Sequence, residues 1–95
     1  MNTNEQRVRR GARLLDQELP GWRSRVNSDS LDMGSSRRCV LGQCYGSYGS
    51  GIVSLGLTGS RLSRMSYGFR LREKHTWEDY ELWQATWRKI IQEDS

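Results

Sequence analysis

One proline, one histidine, two cysteines and two lysines are all that this 95-residue chain holds of residues on which much protein chemistry depends. The lysines are Lys74 and Lys89, so Gly46-Ser-Tyr-Gly-Ser-Gly51 lacks the Gly-Lys-Ser/Thr ending of a phosphate loop. The same segment has neither the Gly-x-Gly-x-x-Gly order nor the preceding apolar strand of a dinucleotide site. Any Ser-His-Asp or Cys-His device would have to use His75, which stands in a hydrophilic stretch before Thr76. Cys39, Cys44 and His75 have no Cys-x-x-Cys spacing and no fourth natural ligand, which argues against a metal. The carboxylates are scattered rather than paired for general acid and base work. No catalytic residue, cofactor or enzyme activity is expected.

Two cysteines are too few for a secreted disulfide framework. Five residues apart on a helix, they would point about 140° away from each other and behave as small buried hydrophobes. No apolar run approaches the roughly 20 residues of a membrane span, and Met1-Asn-Thr-Asn-Glu-Gln has no apolar signal core. The expectation is a cytoplasmic protein with no membrane contact. Apolar residues make up only 35 % of the chain and the mean hydropathy is −0.81, so the core is small. A homodimer or another partner is one way to supply further burial. Four tryptophans and four tyrosines nevertheless argue against disorder.

What is present reads as helix. Thr3 and Gln6 form a capping-box pattern, and Val8, Ala12, Leu15 and Leu19 recur at steps of four, three and four. Pro20 and Gly21 stop that helix, and Trp22 folds back onto it. Arg7, Arg9, Arg10 and Arg13 cover its polar side as a solvated face, with phosphate binding the alternative. Residues 23 to 36 read as a loop anchored by Leu31 and Met33, with a helical turn near Leu31 or a short strand as alternatives. Ser35 or Ser36 caps the next helix, in which Leu41, Tyr45, Tyr48, Ile52 and Leu55 form an apolar stripe. Gly42, Gly46 and Gly49 run beside the stripe although each costs a helix about 1 kcal/mol. Small residues there would let another backbone come close. A glycine-rich hairpin from Gly46 to Leu57 is the rival reading.

Gly56 and Gly59 end this element, and Ser60 caps a short helix whose Leu62, Met65 and Phe69 face inward before Gly68 stops it. A polar connection, 70 to 75, comes next. Thr76 and Asp79 then make a capping box, with Glu78 and Asp79 at the positive end of the last helix and Arg88 and Lys89 at its negative end. Tyr80, Trp83, Trp87 and Ile91 form its stripe, widened by Leu82 and Ile90. These spacings predict a mainly α, single-domain bundle over 1–95, frayed at 1–3 and 93–95. Its three longer helices lie near 4 to 19, 36 to 56 and 77 to 92, with a short one near 61 to 67. The stripe Leu41-Tyr45-Tyr48-Ile52 would pack against Val8, Leu15, Trp83 and Trp87.

The net charge of +4 is unevenly spread. Residues 39 to 72 hold Arg61, Arg64, Arg70 and Arg72 and no acid, whereas acids predominate from Glu73 onward. Those arginines, interleaved with Tyr67 and Phe69, are candidate nucleic-acid contacts, although no helix-turn-helix, zinc-finger or RNA-recognition pattern accompanies them. The candidate partner-binding residues are Gly42, Gly46, Gly49, Tyr45 and Tyr48.

Gly21-Trp22-Arg23 to Val26, then Leu31-Asp32-Met33, then Cys39-Val40-Leu41-Gly42-Gln43 with Tyr45-Gly46 and Tyr48, resembles a pattern in small proteins of actinobacterial phages and their hosts. The closing Trp87-Arg-Lys-Ile-Ile is similar to helix ends seen there. The resemblance covers somewhat over a third of the chain, implies a phage gene product acting inside a bacterial cell, and transfers no activity or site residue. The expected function is a non-enzymatic binding protein that modulates a host or phage protein. The alternative is a small basic accessory protein associated with nucleic acid.

Overall fold

The computed structural model describes residues 4–71 and 74–93, which form five α-helices and one 3₁₀ turn, with no strand among them. Helix α1 spans Asn4–Glu18 and buries Val8, Gly11, Ala12 and Leu15. It stops where proline requires, and the chain turns through Gly21 at a φ of 82° into the 3₁₀ turn Trp22–Arg25. Trp22 does fold back: it is fully buried, and its indole Nε1 donates to Asp16 Oδ1 at 2.8 Å. The capping pattern of Thr3 and Gln6 falls partly outside the described residues, as do the frayed ends proposed at 1–3, 94 and 95. Glu93 is the last residue of the final helix and accepts two bonds from Arg9.

The helix expected over 36 to 56 is two helices, α2 (Val40–Tyr45) and α3 (Tyr48–Ser54), packed on each other. Gly46 leaves α2 at a φ of 96°, and Ser47 is extended and caps α3 by accepting from Ser50 N. The apolar repeat runs through this break because the two caps happen to preserve its phase. Neither Ser35 nor Ser36 caps α2. Cys39 does, its Sγ accepting from Gly42 N at 3.2 Å. The hairpin is likewise not formed.

The glycines therefore do not form one face. A Cβ on Gly42 would lie 2.3 Å from Ser36 O, whereas Gly46 and Gly49 have nothing within 4 Å. Gly49→Ala is expected to add about 0.5 kcal/mol of stability, the ordinary helical gain, and Gly42→Ala to lower it. Thermal melts of both variants check this, since one uninterrupted helix would give the same sign for each.

Helices α3 and α4 (Arg61–Ser66) stop in the same way. Gly56 and Gly68, both at a φ of 72°, come after Leu55 and Tyr67. In each stop the glycine N–H bonds three residues back, and the next residue bonds five back: Leu57 N to Ile52 O and Phe69 N to Arg64 O, both at 2.9 Å. Leu57 and Phe69 are the buried residues that this geometry turns inward. Helix α4 itself buries no side chain, and Leu62, expected to face the core, is 73 % exposed. The stop, not the stripe, sets the rotation of so short a helix. Leu82, on the edge of the last helix's stripe, is exposed too.

Helix α5 (Trp77–Glu93) begins at the expected reciprocal box: Asp79 N donates to Thr76 Oγ1 and Thr76 N to Asp79 Oδ2. It packs along α1. Trp87, fully buried, stacks on Phe69 at 5.4 Å and meets Trp22 edge-on at 6.2 Å. Arg9 of the supposed solvated face pairs with Glu5 and Glu93, and Lys89 pairs with Glu5, so part of the charge asymmetry is neutralised across this seam. Without any secondary structure of its own, the loop after residue 26 is held from two sides. Gln43 bonds Asn27 and Arg38, while Arg88 and Gln92 of α5 reach Ser28.

Candidate functional site

An open cleft of about 670 Å³ lies between four segments far apart in the sequence. One wall is the loop before α2, residues 33–36. This loop closes on itself: Asp32 Oδ1 accepts from Gly34 N at 3.0 Å, and Ser35 Oγ accepts from the amides of Arg37 and Arg38. Helix α3 presents its first residue, Tyr48, whose backbone N donates to Ser36 O at 2.7 Å. The opposite side is formed by Phe69, Arg70 and Leu71 after the Gly68 stop, and by Tyr80 and Trp83 of α5. His75 borders it.

Gly68 fixes this second side. Its carbonyl accepts from Trp83 Nε1 at 2.7 Å and from Trp87 Nε1 at 2.8 Å, filling both lone pairs. Tyr80 joins the walls together, since its hydroxyl donates to Asp32 Oδ1 and accepts from Gly34 N at 3.0 Å. Trp77, the first residue of α5, stacks on Tyr80 at 5.3 Å and is 70 % exposed.

The Tyr80 and Gly34 hydrogen bonds hold the Asp32 carboxyl below its ordinary value of 3.8, and Arg38 adds to this. A carboxylate lowered on folding contributes stability above its unfolded pKa and loses it as pH falls through the folded one. Tyr80 moves the other way, raised by burial and then by Asp32, so its share is lost only at alkaline pH. The Tm difference between the native protein and Asp32→Asn should be full at neutral pH and shrink below about pH 4. A difference constant down to pH 2 to 3, roughly the far side of that carboxylate range, would show that the charge on Asp32 contributes nothing.

Two buried polar atoms, on residues that line the cleft, have no hydrogen-bond partner among the described residues: Tyr48 Oη and Arg70 Nε. Both are closed from solvent. Burial pushes the Tyr48 hydroxyl up, so it stays a protonated donor, while Arg64 and Arg70 pull in the opposite direction.

The structure thus brings one residue from each sequence-selected set, Tyr48 and Arg70, into one cleft. The others lie elsewhere. Tyr45 is half-buried on α2, and Gly42 is packed against residues 36 and 37. Arg64 donates to the carbonyls of Leu57 and Thr58. Arg61 is exposed at the start of α4, and Arg72 lies outside the described residues. Sequence reasoning passed over Asp32, Tyr80 and Trp77 as site residues, although Asp32-x-Gly34 is an Asx-turn signal.

The thiols offer no nucleophile, because burial raises both, Cys44 to about 11. Among the described residues, no three His, Cys, Asp or Glu side chains gather into a group able to hold a metal, and no helix is long and apolar enough to cross a membrane. No known protein family, curated protein or solved structure matches the chain.

Proposed function

We propose that this is a non-enzymatic, phage-type binding protein that modulates a host or phage protein and receives it at the cleft between Tyr48 and Arg70. The pair of unsatisfied donors on residues that line the cleft carries this reading. A buried donor left without a partner costs about 1 to 3 kcal/mol, and a partner supplying the acceptor recovers that energy on binding. The aromatic ledge of Trp77 and Tyr80 beside it is of the residue type that dominates binding hot spots. The resemblance of residues 21–48 to small phage proteins supports the setting.

The test is an affinity capture from actinobacterial lysate, with and without nuclease, using the native protein and Trp77→Ser in parallel. Trp77 is exposed, so its replacement leaves the fold intact. One protein retained after nuclease by the native chain and lost by the variant is the expected result. Retention of nucleic acid alone, or a partner indifferent to Trp77→Ser, would reject this function for the cleft.

A further inference from the structure

We infer that the cleft recognises a carboxylate: the acidic side chain of a partner protein, seated beside an apolar residue of the same partner. The inference rests on the partner-binding reading and adds the chemistry of the occupant.

Tyr48 Oη–H and Arg70 Nε–H are both donors, and neither is answered by an acceptor among the described residues. The nearby acceptors are committed elsewhere. Asp32 Oδ1 takes Tyr80 and Gly34, Asp32 Oδ2 takes Arg38, and the Gly68 carbonyl takes two indoles. A ligand entering here must therefore bring lone pairs, and beside a guanidinium the favoured bearer is an anion. One carboxylate presents two oxygens and a single charge, which matches two donors of which one is cationic. A dianionic phosphate would bring a second charge toward the Asp32 carboxylate that Tyr80 and Gly34 hold. Phe69 and Trp83, also in the cleft lining, suit the apolar neighbour. The two donors are covered at present, so entry requires a side chain to change rotamer.

The experiment titrates ¹⁵N-labelled protein with the peptide acetyl-Phe-Glu-Leu-amide and with its glutamine counterpart, acetyl-Phe-Gln-Leu-amide. The acidic peptide is expected to shift the Gly34, Tyr48 and Phe69 amides and the Trp83 indole proton, and to bind at least about tenfold more tightly than the glutamine peptide. Tyr48→Phe and Arg70→Gln should each bring the acidic peptide down to the affinity of the glutamine one. Tyr48→Phe removes an unsatisfied hydroxyl, so its Tm should be unchanged or higher, which separates lost recognition from lost folding. Equal binding of the two peptides would overturn the carboxylate and leave an apolar groove, with the capture experiment unaffected. Displacement of the acidic peptide by an equimolar amount of inorganic phosphate would overturn it in favour of a free oxyanion. If neither peptide shifts the cleft resonances, this inference fails, and the capture experiment alone then decides the partner-binding reading.

Discussion

Gly11→Ala should lower the unfolding free energy by about 3 kcal/mol or more and leave much of the protein unfolded. The expectation runs against local propensity, because alanine inside an isolated helix is better than glycine by about 1 kcal/mol. A Cβ at this position would sit 2.0 Å from the carbonyl oxygen of Tyr67, with Phe69 and Trp87 each at 3.2 Å. The first of these is backbone and cannot step aside by changing rotamer. The Tyr67-Gly68-Phe69 stop lies against α1 at this place, and the approach recurs at Gly68, where a side chain would meet Val8 Cα at 2.8 Å. Either α1 shifts, opening the seam with α5, or the stop moves and takes Arg70 with it. Urea unfolding of Gly11→Ala measures the loss. A stability within about 1 kcal/mol of the native protein would mean that α1 does not lie this close.

Trp87→Ala is expected to cost about 3 to 5 kcal/mol, the range for removing a large buried aromatic, in a domain whose size makes its total stability modest. The ring is fully buried between Phe69 and Trp22, so its removal leaves a cavity at the junction of α1, α5 and the Gly68 stop. Trp87→Phe should cost clearly less. It keeps an aromatic face for Phe69, and although the Nε1 donor is lost, the Gly68 carbonyl retains Trp83 as a partner and is not stranded. Unfolding followed by far-ultraviolet circular dichroism compares the two. Equal losses would mean that the hydrogen bond, rather than the packing, dominates at this site.

The parts of this fold that were legible in the sequence are those specified locally. The repeat Val8, Ala12, Leu15, the stop at Pro20 and Gly21, the box at Thr76 and Asp79 and the glycine at 68 each write their conformation within a few residues. The break at Gly46 was hidden because the apolar phase continues across it. Cys39 was missed as a cap because cysteine is rarely read as one, and Leu62 was misplaced because six residues of helix take their rotation from the glycine stop at their C-terminal end. Tyr48 and Arg70 were each singled out for other reasons. Their meeting, and the cleft itself, depends on residues 33–36, 69–71 and 80–83 being brought together, which no local pattern encodes.

The seam between α1 and α5 also bears on how fast the chain folds. Arg9 bonds Glu93 across 84 positions, and the α1–α5 seam joins the two ends of the described chain. Most small helical proteins fold through contacts between adjacent segments, in microseconds to milliseconds. Trp22 and the Gly68 stop cover α1 from nearer in the sequence, but the seam with α5 closes nearly the whole chain into one loop, and that closure entropy comes due before the seam contacts repay it. Refolding is expected toward the slow end of the range for helical proteins, in milliseconds, and mutations along the seam should alter the folding limb of a stopped-flow chevron. Relaxation on the microsecond scale would instead show that the seam forms after the rate-limiting step.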